Sequence, residues 1–460
     1  MTQPSVRSGD AALAALRAVE GELNHRWPES RIEPSLTRIA ALVDLLGSPQ
    51  RSYPVVHIAG TNGKTSVARM VDVLVSGAGL RVGRYTSPHL QQVTERISVD
   101  GEPISPQHFV EVYHDIEPYV ALVDAGSPVR MSKFEVLTGM AFAAFADAPV
   151  DAAVVEVGLG GRWDATNVAD ATVATITPIA VDHVDYLGSD ITGIAAEKAG
   201  IIKAGSVAVL AQQPPEVARV LAARSIEVGA TVAREGIEFG VLQRDIAVGG
   251  QRLKLQGLGG VYGEIFLPLH GPHQARNAAL ALSAVEAFFG AGANVSLDID
   301  AVRDAFAAVT APGRLERVRA APSVFLDGAH NPHGAQALAA ALRSEFSFRR
   351  LVAVVGVLRD KDARGILAEL EPVVDEVILT SSGSPRAMDV EDLTAAAREV
   401  FDDSRLRVEA RLSDAIQAAL ASATDTADPA SEGISGFGVI IAGSVAMVGA
   451  ARSLFGRDSP

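Results

Sequence analysis

The segment Tyr53-Pro-Val-Val-His-Ile-Ala-Gly-Thr-Asn-Gly-Lys-Thr-Ser66 constrains this chain more than any other. Val55, Val56 and Ile58 are strand formers. Gly60 and Gly63 follow at once and permit dihedrals closed to other residues. From Thr65 to Val75 the apolar residues Val67, Met70, Val71 and Leu74 recur at helical spacing. A buried strand, a glycine turn and a helix therefore stand in a row. Such a turn points several backbone N–H groups at one spot, and the helix dipole adds positive potential there. Lys64 brings a full positive charge, and Thr65 a hydroxyl suited to magnesium. These parts suit a nucleoside triphosphate. The longer phosphate-loop pattern calls for glycine where Ile58 stands, so this is the shorter Gly60–Thr65 form. The bland alternative is a plain strand-to-helix turn in an α/β core.

The 460 residues suggest two or three domains. The absence of cysteine excludes disulfides, thiolate metal sites and cysteine nucleophiles. A net charge of −15 disfavours nucleic acid and anionic membranes as partners. Met1 to Asp10 lacks the apolar run of a secretory signal. Gly433 to Ala451 carries no charge, but its glycines fit a buried strand (438–442), a Gly-Ser turn and a helix start better than a membrane span. A cytoplasmic protein is expected.

Residues 11–46 read as helical, with a break around Trp27-Pro28. From Tyr53 short apolar runs alternate with helical stretches, the signature of a doubly wound α/β domain. Strands are expected at 55–58, 82–85, 153–157, 172–176 and 207–211. Residues 225–269 alternate polar and apolar with many glycines, which predicts a small antiparallel patch. A helix follows from His273 through Phe288. Ala311-Pro-Gly-Arg314 is a linker between helical segments. Beyond it strands are expected at 324–327, 351–355, 376–380, 407–410 and 439–442, with a flexible loop at 424–436. The fold class is thus α/β: a P-loop-containing doubly wound N-terminal domain, 1–310, plus a smaller Rossmann-like C-terminal domain, 311–460.

Ligands of open α/β sheets sit outside the carboxyl ends of the strands. Those ends carry Lys64-Thr65, then Thr86-Ser-Pro-His-Leu90, then Glu156 with Gly158-Leu-Gly-Gly-Arg-Trp-Asp-Ala-Thr-Asn167, then Asp182-His-Val-Asp185. A hydroxyl (Ser87), a carboxylate (Glu156) and an imidazole (His183) arrive beside the phosphate loop and could hold magnesium, although histidine is a less usual ligand for it. Each has a bland reading too: a turn residue, an ion-pair partner and a hydrogen-bonded loop residue.

The strings GTNGKTS, YTSPHL with Glu95-Arg96, EVGLGGRWDATN, DHVDYLG, AAEKAGIIK, HQARN, PGRLE and LDGAHNP together resemble the folylpolyglutamate synthase and dihydrofolate synthase family, within the Mur ligase superfamily. The similarity runs in order from about Thr37 to the C-terminus. It implies that Thr61, Asn62, Gly63 and Lys64 hold the ATP phosphates, with Thr65 able to reach a metal. It implies Ser87, Glu156 and His183 as magnesium ligands, for two ions, with a monovalent cation as a further candidate. It implies that Lys198 is carried as a carbamate and that Asn277, Arg314 and Asp327 surround the nucleotide. His330 would face the cleft and act with Lys64 and Lys198. Ser132, Lys133, Phe134, Glu135, Trp163, Asp164 and Ala165 match pterin-binding segments, and Thr37 and Arg38 lie near them as further substrate-binding candidates. Thr65 stands where the family often has glycine, and Trp163 where a smaller apolar residue is common. The implied activity joins L-glutamate to dihydropteroate or a reduced folate through an acyl phosphate. A hinged second domain would bring the parts together. A monomer working on small molecules is expected. Two alternatives stand beside it: a Mur-type ligase acting on a cell-wall precursor, and a nucleotide-dependent switch protein that needs no amine acceptor.

Overall fold

The computed structural model describes residues 5–27, 35–290, 296–424 and 436–458. Val55–Ala59 is buried at every position. It lies inside an eight-stranded sheet ordered Glu102–Pro103, Ile97–Val99, Val82–Tyr85, Ala152–Glu156, Val55–Ala59, Val173–Ile176, Val207–Leu210 and Thr231–Arg234. The last six of these run parallel, and the first two add an antiparallel edge. Helices cover both faces, which is why the central strands read as continuous apolar runs rather than alternating ones.

A three-stranded antiparallel sheet, Gly240–Ala247, Gly250–Gln256 and Val261–Leu267, forms the patch expected within 225–269. Its inward residues Leu253, Leu255, Ile265 and Leu267 share one core with the helix Pro272–Phe288. A six-stranded sheet follows, ordered Glu316–Ala320, Ser323–Leu326, Phe437–Ala442, Arg350–Val355, Glu376–Leu379 and Leu406–Val408. All but its first strand run parallel. At the other end of the chain, Ser5–Asn24 and Thr37–Leu45 pack on the helices Pro106–Gly126 and Lys133–Asp147.

Differences from the sequence reading fall at sheet edges. Ile97–Val99 and Glu102–Pro103 were not expected as strands; they are too short to carry a readable pattern. Thr231–Arg234 lies within the expected antiparallel patch but pairs in parallel with Val207–Leu210 at the edge of the large sheet. The linker at 311–314 leads not into a helix but into Glu316–Ala320, a strand in which only Val318 is buried. Charged residues on such an edge discourage pairing with other chains. The strand expected at 407–410 is Leu406–Val408. Residues 425–435 of the loop expected at 424–436 lie outside the described residues, as does Pro28. The uncharged stretch near the C-terminus resolves into Phe437–Ala442, Gly443 and the helix Val445–Leu454. Among the described residues no helix is long and apolar enough to cross a membrane.

Candidate active site

A cavity of about 710 Å³ opens where loops from the two large sheets meet. The phosphate loop forms its floor. Gly60 and Gly63 take φ values of 143° and 91°, a region that favours glycine. A Cβ on Gly60 would collide with Thr177 Oγ1, and one on Gly63 would lie 2.8 Å from Asn277 Oδ1. The Thr61 N–H donates to the Pro178 carbonyl at 3.0 Å and its hydroxyl to the Ala180 carbonyl at 3.0 Å. The loop is thereby fastened to the neighbouring strand end. Lys64 Nζ donates to the carbonyls of Gly60 (3.1 Å) and Thr61 (3.3 Å), and Lys198 Nζ donates to Gly60 at 2.8 Å. Burial lowers the pKa of both amines. For Lys198 burial, followed by the charge on Lys64, pushes it down to about 7.

Glu156 ends its strand under this loop. It accepts from Thr65 Oγ1 at 3.0 Å on each oxygen and from the Ser87 N–H at 3.4 Å. Burial raises its pKa and Lys64 opposes that rise. Among the described residues there is no cluster of three or more His, Asp or Glu fit to hold a metal by themselves. Glu156, Thr65 and Ser87 do present hard oxygens at one place. That donor set fits a cation that keeps waters and shares phosphate oxygens, as magnesium does. His183 lines the same cavity. The backbone turns there at φ 53°, and the imidazole Nε2 lies 3.4 Å from Lys361 Nζ and 3.8 Å from Asp182.

Asp182 is the centre of a second cluster that joins the sheets. Lys361 Nζ donates to it at 2.6 Å and Asn331 Nδ2 at 2.8 Å, and His330 Nε2 lies 3.7 Å away. Asn62 and Asn331 exchange amide hydrogen bonds at 3.1 Å, and Asn62 also bonds His333 at 2.9 Å. Burial alone would raise the Asp182 carboxyl, yet His183, Lys361 and His330 hold it below the usual range. Burial pushes His183 down to about 3 and His330 to about 4. The sequence reading missed Lys361, Asn331 and Asp182 as site residues. A signal for them existed: Lys361 and Asn331 both follow strand ends, Arg350–Val355 and Ser323–Leu326.

Around the expected nucleotide position, Asn277 bonds Gln274 at 3.1 Å, and Gln274 reaches Ser66 at 3.4 Å. Arg314 donates to the Gly313 carbonyl at 3.1 Å. Asp327 braces its own loop, accepting from the N–H groups of Leu315 and Ala329 at 2.8 Å each. Burial raises its pKa against the pull of Arg314. His330 Nδ1 lies 2.8 Å from the Gly328 carbonyl. That bond assigns the proton to Nδ1 and leaves Nε2 able to accept one.

The remaining expected residues mostly line one wall of the same cavity. Ser132 and Glu135 form a capping box that starts Lys133–Asp147, and Arg38 Nε pairs with Glu135 at 3.0 Å. Phe134 lies 5.9 Å from the Tyr85 ring, and it packs where only the missing side chain of Gly158 leaves room. Asp164 accepts from the N–H groups of Leu159 and Thr166 at 2.9 Å each, and burial raises its pKa. Trp163 is 42% exposed, with the Arg162 guanidinium 5.3 Å from its ring centre, and Ala165 is buried beside it. Thr37 and Lys133 stay outside the wall. Thr37 opens its helix beside Ser35, and Lys133 Nζ reaches Asn24 at 2.8 Å.

Two family models match the chain: the Mur ligase middle domain over residues 126–285 and the Mur ligase, glutamate ligase domain over 313–429. The dihydrofolate synthase/folylpolyglutamate synthase of Mycobacterium tuberculosis (strain ATCC 25618 / H37Rv) is 63% identical, over 97% of this chain and 95% of its own. The Bacillus subtilis (strain 168) protein of the same description is 34% identical over 80% and 85%. Among solved structures, M. tuberculosis folylpolyglutamate synthase complexed with ADP superposes with a TM-score of 0.93 at 62% identity, covering 98% of this chain and 100% of that one. E. coli FolC in complex with DHPP and ADP gives 0.82 at 31% identity, covering 96% and 97%.

Proposed function

This chain belongs to the dihydrofolate synthase/folylpolyglutamate synthase family of Mur ligases, and we propose that its cleft performs both reactions of that description. It is an ATP-dependent ligase that joins L-glutamate to dihydropteroate and to reduced folates. The observation that carries this reading is 63% identity to such an enzyme over 97% of the chain. The same likeness disfavours a cell-wall precursor as substrate, and a switch protein would not need a glutamate ligase domain.

The roles follow from the residues. Lys64 leaves its loop carbonyls for the triphosphate and neutralises it while a substrate carboxylate attacks the γ-phosphorus. The N–H groups around Gly63, at the start of the helix Lys64–Gly77, receive phosphate oxygens. Asn277, Arg314 and Asp327 flank the nucleotide. The bound acyl phosphate must then meet the glutamate amine. His330 is neutral, with its Nε2 lone pair free to accept the ammonium proton. Released phosphate and the new amide complete the balance. Magnesium, when bound, neutralises phosphate charge, and Glu156, Thr65 and Ser87 would hold it; His183 would join only if Lys361 withdrew. We assign a carbamate to Lys198. Its amine is held near neutrality by burial, and the modification would replace one of two cations on the Gly60 carbonyl by an anion. Ser132, Phe134, Glu135, Trp163, Asp164 and Arg38 would frame the pterin. Monomeric, cytoplasmic work on small molecules accompanies this reading.

A phosphate-release assay with ATP, magnesium and glutamate tests it, with dihydropteroate, tetrahydrofolate or no pterin added. Phosphate should appear with either pterin, dihydropteroate should inhibit tetrahydrofolate extension, and Lys64→Ala should lose both activities. Extension of tetrahydrofolate without use of dihydropteroate would reduce the protein to a polyglutamate synthase.

A further inference from the structure

Gly449 sits in the middle of the helix Val445–Leu454 and has an ordinary helical backbone. Its dihedrals therefore do not call for glycine, and alanine is the better helix former at such a position. What calls for glycine is the approach of another backbone. A Cβ at 449 would collide with the Leu90 carbonyl oxygen and lie 2.9 Å from the Leu90 carbonyl carbon. Leu90 belongs to the loop after Val82–Tyr85, so this contact joins the eight-stranded sheet to the six-stranded one.

The Leu90 carbonyl is held from several sides. The Glu95 carboxylate accepts from the N–H groups of Leu90, Gln91 and Gln92 at 2.8, 3.0 and 2.8 Å. The Leu90 side chain packs on the apolar core that contains Met447 and Val448. Gly313, in the linker 311–314, makes room for it: a Cβ there would lie 2.9 Å from Val448 Cγ1 and 3.4 Å from Leu90 Cδ1. Arg452 and Ser453 follow Gly449 on the same helix face. Arg452 donates to the Gln91 side-chain oxygen, and Ser453 Oγ accepts from the Gln91 amide at 2.9 Å. Arg452 Nε also donates to Glu316 at 2.9 Å. Leu90 is thus seated between the linker and the helix. The other end of its loop works beside the phosphate loop. There the Thr86 N–H donates to the Arg96 carbonyl at 2.9 Å and the Ser87 N–H to Glu156 at 3.4 Å. Only Pro88 and His89 separate Ser87 from the seat.

We propose that Gly449 is a positioning residue for Ser87. Its bare backbone lets the helix come down on Leu90, and the seated loop then fixes where Ser87 stands relative to Glu156 and Thr65. This rests on the reading above in which those three residues hold magnesium. A methyl at 449 drives the helix and the Leu90 carbonyl apart. Both sides are braced, so the displacement passes along the loop to Ser87. A misplacement of about 1 Å from a substitution outside the chemistry costs up to about a hundredfold in rate.

The test compares wild type, Gly449→Ala and Leu90→Ala as full chains. Isothermal titration measures ADP affinity with and without magnesium, and phosphate release measures turnover. Without magnesium, Gly449→Ala should bind ADP as wild type does, because the N–H groups around Gly63 are untouched. The gain in ADP affinity that magnesium brings to wild type should be largely lost, and turnover should fall about tenfold to a hundredfold. Leu90→Ala empties the seat without adding bulk; it should show the same pattern, and it decides the matter if Gly449→Ala does not fold. A folded variant that keeps the full magnesium gain overturns the proposal, even if its turnover falls. If magnesium brings wild type no gain, the magnesium reading and the positioning role fall together. If it does bring a gain but no pterin stimulates phosphate release, the folate reading alone fails, and the ADP titrations still decide the role of Gly449.

Discussion

At Gly60 one carbonyl oxygen accepts from both Lys64 and Lys198, and this crowding sets the first prediction. Only a neutral amine adds carbon dioxide, and burial pushes Lys198 down to about 7. Lowering the pH below 7 would protonate the amine and disfavour the carbamate proposed there. Depleting carbon dioxide should therefore lower activity, more so at pH 6.5 than at pH 8, and bicarbonate should restore it. A carbamate ¹³C signal from labelled bicarbonate should vanish in Lys198→Ala; its persistence there would refute the assignment. His57 gives a stability prediction. It is fully buried, bonded to Thr166 at 2.8 Å, and burial pushes its pKa to about 3. Between pH 6.5 and about 3 the unfolded chain binds a proton there that the folded chain refuses. Stability from this residue therefore falls as pH drops, by about 1.4 kcal/mol per pH unit well inside that window. The melting temperature of His57→Gln should decline less steeply than wild type between pH 6.5 and 5. Parallel slopes would mean that His57 titrates normally.

At the scale of elements, the strand–loop–helix unit depends on Gly60 more than on any side chain. Gly60→Ala places a methyl into Thr177 at an unfavourable φ of 143° and should cost roughly 1–3 kcal/mol as well as nucleotide binding. Gly47→Ala, with φ 80° and nothing within 4 Å of the new methyl, is the control for backbone strain alone. ADP should raise the melting temperature of Gly47→Ala and fail to raise that of Gly60→Ala; an equal response would show that the close approach is dispensable. The unit was legible in sequence because every part of its signal is local. The edge strands were not legible: Glu316–Ala320 has one buried residue, and its pairing with Ser323–Leu326 is a tertiary event.

At the scale of the molecule, Lys361 and Asp182 form an ion pair across the two large sheets, with side chains only 4% and 7% exposed. Removing one partner of a buried pair strands the other charge, at a cost of about 3–5 kcal/mol. Much of that cost is avoided if the sheets separate and water reaches Asp182. Lys361→Met should therefore open the cleft, read as a larger radius of gyration by small-angle scattering, and should lower turnover. Its far end should hold, because Glu345 is bonded by Arg244, by His270 at 2.9 Å and by the Gly271 N–H at 2.6 Å. Unchanged scattering with unchanged turnover would remove the latch from the mechanism.

The sequence by itself determined the α/β class, the phosphate loop, the strand ends that carry Glu156 and Ser87, and, through its strings, the ligase family. Those signals are short-range: a period of two or 3.6, a glycine where φ must be positive, a string a dozen residues long. Only the tertiary structure decided what each group touches. It set Asn62 against Asn331 and His183 against Lys361, and it left Thr37 and Lys133 outside the lining of the cavity. It also bonded the Trp27 carbonyl to the Lys133 N–H, across more than a hundred residues of chain. Hydrogen bonds and burial act over a few ångströms of space, and which residues share that space is set by how the sheets pack.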